Sequence, residues 1–155
     1  MARKETPHYD DWFTAHGYTV QKLPELCVFE GAGDALMLRE TVIAGYRYRS
    51  DICSHTALAQ ITGLGVLSLE LIDPQYYHLD TCFCPLGDDA AIYYPAAFDS
   101  YANQVIEANI PNPIAVTEAE AHRFACNAVV VGKTVVMNAG CPELEKELQV
   151  RGYTV

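Results

Sequence analysis

An imidazole and a carboxylate two residues apart in an apolar run can move protons and hold a cation. His78 and Asp80 stand in that relation within the run from Tyr77 to Leu86. Pro74 precedes the run, Pro85 and Gly87 close it, and its composition predicts a strand over 78–85. Strand side chains alternate between faces, so His78, Asp80 and Cys82 would share one face and Leu79, Thr81 and Phe83 the other. The same pair also fits a structural hydrogen bond with no chemistry attached, and the spacing alone does not separate the two. Two further stretches carry charge of the right kind: a tight loop in which Glu30 and Asp34 bracket Gly31 and Gly33, and Gly45 to Arg49, which ends on a cation.

The elements that must position these residues recur along the chain. Tyr9, Trp12 and Phe13 lie at helical spacing over 5–16, with Gly17 where a helix stops, and 18–23 alternates like a short strand ending at Pro24. A hairpin is expected over 35–38 and 41–46, a helix over 54–63 and a strand over 66–72. The same order returns as strands 78–85 and 90–94, helix 98–109 and strand 114–117. A third pass gives strands 125–131 and 134–137, helix 142–151 and strand 153–155. Three strand-strand-helix-strand units of about 40 residues fall in the period range of repeat architectures, with the first helix and strand as the tail of a fourth. Ser54, Asp99 and Pro142 mark the helix starts.

Composition narrows the function classes. A chain of 155 residues at 50% hydrophobic supports one domain with a core, spanning 1–155. Twenty acidic side chains against ten basic ones give a formal charge of −10, which disfavours nucleic acid and anionic membranes as partners. The first residues lack a leader's apolar stretch, and no segment reaches the roughly 18 continuous apolar residues of a membrane span, so a cytoplasmic location is expected. The six cysteines, Cys27, Cys53, Cys82, Cys84, Cys126 and Cys141, have no metal-site spacing and read as buried reduced thiols, with no metal and no cofactor. Cys141 stands before a helix start, where the dipole lowers a thiol pKa, yet it also fits a packed terminal residue.

Taken in order, the Glu30–Asp34 loop, the Gly45–Arg49 stretch and the His78–Leu86 run, followed by Tyr93 to Asp99, resemble the guanidino-group-modifying enzymes. This is the pentein superfamily of amidinotransferases, arginine deiminases and dimethylarginine dimethylaminohydrolases. The resemblance covers nearly the whole chain and implies an α/β fold, a partial α/β-propeller of about three units plus an N-terminal helix and strand. It implies that Glu30 and Asp80 grip a flat guanidinium through charge-assisted hydrogen bonds and that His78 serves as general acid and then base. Arg49 would pair with a substrate carboxylate, and Asp34 would support the loop or touch substrate. Arg49 also fits a solvated strand-end cation and Asp34 a turn residue. The extra Ala32 departs from the usual Glu-Gly-Gly-Asp loop and shifts the register of Asp34.

The family's nucleophilic cysteine follows a segment like 152–155, and another guanidinium-binding Asp precedes the first unit, so the chain resembles the middle three of five units. Three functions stay open: an inactive relative that binds arginine-like compounds, a working hydrolase or amidinotransferase whose cysteine comes from another chain, and a non-enzymatic interaction module. A homo-oligomer is expected, because a stack of three units leaves two uncovered ends.

Overall fold

The computed structural model describes residues 5–155; Met1 to Lys4, part of the start expected to lack a leader, lie outside them. The repeat is written in the sheet topology. In the first unit, β1 (Ala35–Leu38) pairs antiparallel with β2 (Thr41–Tyr46), and the chain crosses through α2 (Cys53–Thr62) to β3 (Gly65–Glu70), parallel to β2. In the second, β4 (Phe83–Pro85) pairs antiparallel with β5 (Ala90–Tyr93), and α3 (Ser100–Asn109) leads to β6 (Asn112–Ala115), parallel to β5. A four-residue helix, α4 (Glu118–Ala121), precedes the third unit, whose hairpin is β7 (Val129–Val131) with β8 (Thr134–Val136). After α5 (Pro142–Val150) the expected last strand is reduced to one parallel bridge, Thr134 to Thr154. The result is a mixed α/β fold of three small sheets, none of which closes into a barrel.

Local signals account for most boundaries. Gly63 ends α2 in the left-handed region at φ 71°, where a side chain would be strained. Asp99 caps α3 by accepting the Ala102 N–H at 2.7 Å. Ser54 does not cap α2: it lies inside the helix and donates to the Asp51 carbonyl at 2.7 Å, while Ile52 stands at the cap without a side-chain acceptor. The first helix, α1 (Thr6–Ala15), has the expected aromatic face, but that face is exposed at Tyr9, Trp12 and Phe13. The alternating residues at 18–23 form no strand among the described residues and pair with none of the three sheets.

Two corrections bear on the site. The segment at 78–85 is a strand only from Phe83; ahead of it the chain turns through a 3₁₀ helix at Leu79–Thr81. The Thr81 N–H and hydroxyl both donate to the His78 carbonyl, and the Cys82 N–H donates to the Leu79 carbonyl, so these groups close locally instead of joining a ladder. Leu79 is thereby driven fully into the core against Gly45, where an added Cβ would come within 2.9 Å of the leucine Cβ.

The cysteines are not all reduced. Cys27 and Cys53 are joined by a disulfide that ties the segment leading to Glu30 to the start of α2, while Cys82, Cys84, Cys126 and Cys141 are free and buried. Closing a loop with a sequence separation of 26 removes unfolded-state entropy worth about 3 kcal/mol. Reduction by a dithiol should therefore lower unfolding stability by about that amount, and a Cys27→Ser/Cys53→Ser double variant should match the reduced protein and ignore the reductant. Urea unfolding with and without dithiothreitol checks this.

Candidate functional site

Three loops meet at one place. The first is the turn Gly31–Asp34, entered from Glu30 and opened by Gly31 at φ 77°. Next comes the turn after β2 that carries Arg49 and Ser50, and the third is the His78–Thr81 turn. They bring Glu30, Asp34, Arg49 and His78 into contact. Arg49 Nη2 lies 2.8 Å from Glu30 Oε2, His78 Nε2 lies 3.8 Å from the same oxygen, and His78 Nδ1 lies 3.2 Å from Asp34 Oδ1. Although His78 Nδ1 is within ion-pair distance of Asp34, the angle is wrong for a hydrogen bond, and this buried nitrogen has no hydrogen-bond partner. Asp80 joins the group across Gly33: a Cβ placed there would be 3.2 Å from His78 Nδ1 and 3.6 Å from Asp80 Oδ2. Glycine at 33 is what lets the loop press against both side chains.

The acids differ in setting. Asp34 is 1% exposed and uses both oxygens, Oδ1 accepting from the Leu79 N–H at 3.0 Å and Oδ2 from the Ser50 hydroxyl at 2.7 Å. Both of its oxygens are thus engaged within the core. Glu30 and Asp80 are half-buried and face outward. Burial raises the Asp80 pKa above its ordinary 3.8, His78 pulls it down, and the charge on Asp34 adds to the rise. The Asp80 carbonyl is held by the Asn127 side-chain amide at 3.0 Å. The Arg49 guanidinium sits 5.5 Å from the centre of the Tyr77 ring.

Sequence reasoning named five of these residues, and the fold brings all five together; it named Gly33 only as part of the tight loop, and it missed Ser50 and Asn127. Ser50 carries no charge and belongs to no motif, so nothing in the sequence marks it. The thiols behave otherwise than expected. Cys82 does not share a strand face with His78: the turn folds it inward, 0% exposed, with its thiol donating to the Leu79 carbonyl. Burial pushes the thiols of Cys82 and Cys126 well up and that of Cys84 to about 11. At Cys141 burial again comes first, joined by the Glu120 charge, so the thiol is raised rather than lowered by the helix start. Two surface clefts of about 300 and 410 Å³ lie elsewhere, one between β6 and α5 and one beside Met37 and Val130.

No family model matches the chain. It is 48% identical over 155 residues to a bifunctional arginine dihydrolase/ornithine cyclodeaminase, AgrE, of Nostoc sp., covering 97% of this chain and 22% of that protein. It is 39% identical over 149 residues to the N(G),N(G)-dimethylarginine dimethylaminohydrolase of Mycobacterium tuberculosis, covering 96% and 49% respectively. The chain superposes on the substrate-bound N-terminal domain of ArgZ, a cyanobacterial arginine dihydrolase, with a TM-score of 0.93 at 46% identity, over 98% of this chain and 58% of that one. The chain belongs to the pentein superfamily. A dimethylarginine dimethylaminohydrolase of Pseudomonas aeruginosa, complexed with citrulline, shares the fold at a TM-score of 0.77 and 20% identity, with 97% and 57% covered. This pentein chain thus spans a quarter or less of its bifunctional relatives and about half of the dimethylargininase. Among its described residues no helix is long and apolar enough to cross a membrane.

Proposed function

We propose that this pentein chain binds the guanidinium of arginine or a related compound and holds the proton-handling group of a guanidino-modifying site, without supplying the attacking thiolate. The observation that carries the proposal is the Arg49–Glu30 contact: a guanidinium already rests on the Glu30 carboxylate at 2.8 Å, beside His78 and Asp80. An incoming guanidinium takes that place on Glu30 and bonds Asp80 on its other edge. Arg49, displaced, turns to the ligand's α-carboxylate over the Tyr77 ring. His78, its ring set between Glu30 and Asp34, is the proton-handling group. Were a thiolate from another chain to attack the guanidinium carbon, His78 would protonate the amine that leaves and then take a proton from the water that resolves the thiolate adduct. In the same reading residues 1–155 form one domain, and its three units are sectors of an α/β-propeller.

Relatives that act on arginine and dimethylarginine support the substrate class. The missing step is nucleophilic. Two of the six thiols are locked in a disulfide, and the other four are buried with raised pKa values, whereas thiolate attack needs an accessible, low-pKa sulfur. The purified chain is expected to release no citrulline, ornithine, ammonia or methylamine from arginine, methylarginines or agmatine. Product that disappears in both His78→Ala and Cys82→Ser would overturn the assignment and place a working nucleophile within the chain.

A further inference from the structure

We propose that Ser50 is a positioning residue that sets both halves of the guanidino site at once. Ser50 is 2% exposed, and its hydroxyl stands between two loops. It accepts from the Glu30 N–H at 3.1 Å and donates to Asp34 Oδ2 at 2.7 Å. The first bond fixes the backbone from which the Glu30 carboxylate projects. Through the second, Ser50 orients Asp34, whose other oxygen accepts the Leu79 N–H at 3.0 Å and lies 3.2 Å from His78 Nδ1. One hydroxyl therefore links the Glu30 loop to the His78–Asp80 turn, which lies 45 residues further along the chain from Asp34.

The neighbouring bonds do not duplicate this link. The Val28 and Asp51 backbones hold each other, with the Val28 N–H also on Asp51 Oδ2 at 3.0 Å, but that ladder stops short of Glu30 and never reaches Asp34. Arg49 meets Glu30 only at the carboxylate, the group a ligand would engage. Removing the hydroxyl leaves the Glu30 N–H without an acceptor and frees Asp34 to turn, so the carboxylate and the imidazole lose their common reference.

The test uses the full chain with Ser50→Ala, Ser50→Thr, which keeps the hydroxyl, and Ser50→Cys, a close isostere with a weak donor that serves if the alanine variant does not fold. Amide hydrogen exchange is read at Glu30 and Leu79, each relative to Ile92 in β5 so that global destabilisation cancels. Ser50→Ala should speed both site amides about 10-fold relative to Ile92, and Ser50→Thr should restore them. Calorimetric titration with L-arginine supplies a second arm: Ser50→Ala should weaken affinity about 10-fold, and Ser50→Thr should restore it. The affinity arm rests on the guanidino-binding proposal, and a wild-type chain that ignores arginine defeats that proposal alone. The exchange arm decides the role of Ser50 by itself: unchanged relative rates at Glu30 and Leu79, or equal effects of threonine and alanine, overturn it. An affinity loss in Ser50→Ala that Ser50→Thr does not restore would overturn it too.

Discussion

Replacing Asp34 with alanine should lower folding stability by about 4 kcal/mol, because a fully buried carboxylate that satisfies two donors is deleted. The Leu79 N–H and the Ser50 hydroxyl both point at it from within the core, and both residues are buried. Asparagine at this position keeps one acceptor oxygen and turns an amide N–H toward a donor, so Asp34→Asn should cost about half as much. Denaturant midpoints with unchanged slopes measure both values. An alanine variant within about 1 kcal/mol of the parent would mean that Asp34 is not the hub joining the three loops.

The second large effect is on binding. Asp80→Ala should weaken arginine affinity by about 100-fold or more, since a guanidinium loses a paired, charge-assisted contact in a half-buried setting. Affinity should also depend on pH with a definite sign. Burial raises the Asp80 pKa above 3.8, so in the free protein the carboxyl takes up its proton at a higher pH than an exposed aspartate. Only the ionised form bonds a guanidinium well. Arginine affinity should therefore be level above the raised pKa, fall as pH drops through it, and be accompanied by proton release on binding in that range. For folding the sign is reversed: Asp80 favours the native state most below the unfolded carboxyl's range, and that contribution is lost as pH rises through the raised value. In Asp80→Ala the pH dependence from this group should vanish from both curves. A titration series from acid to neutral pH on the two proteins reads this out.

Periodicity and turn residues carried the repeat. The hairpins, the helices after them and the parallel third strands of the first two units follow from alternating apolar runs punctuated by glycine, proline and acidic turns. What the sequence could not show depends on atoms brought from far away. The run at His78 looks like a strand because it is apolar and holds the strand-favouring Tyr77, Thr81 and Phe83, yet the Asp34 carboxylate, 45 residues earlier, takes the Leu79 N–H and leaves the chain to turn. That same event buries Cys82 instead of setting it on a face with His78 and Asp80. Cys27 and Cys53 lie at no recognisable motif spacing; they meet because the Val28 and Asp51 backbones pair beside them. Ser50 was invisible for a similar reason, since a serine gains meaning only from the two loops that its hydroxyl joins. The charged residues of the site, by contrast, were readable in sequence because a resemblance marked them, and the fold draws them together through buried polar contacts rather than through a shared strand.

The most direct measurement is a calorimetric titration of L-arginine into the intact chain at neutral pH, run beside Glu30→Ala. A saturable heat with one site per chain, lost in the Glu30→Ala variant, is the expected result. Identical traces for the two proteins, whether both bind or neither does, would contradict a guanidinium site built on Glu30.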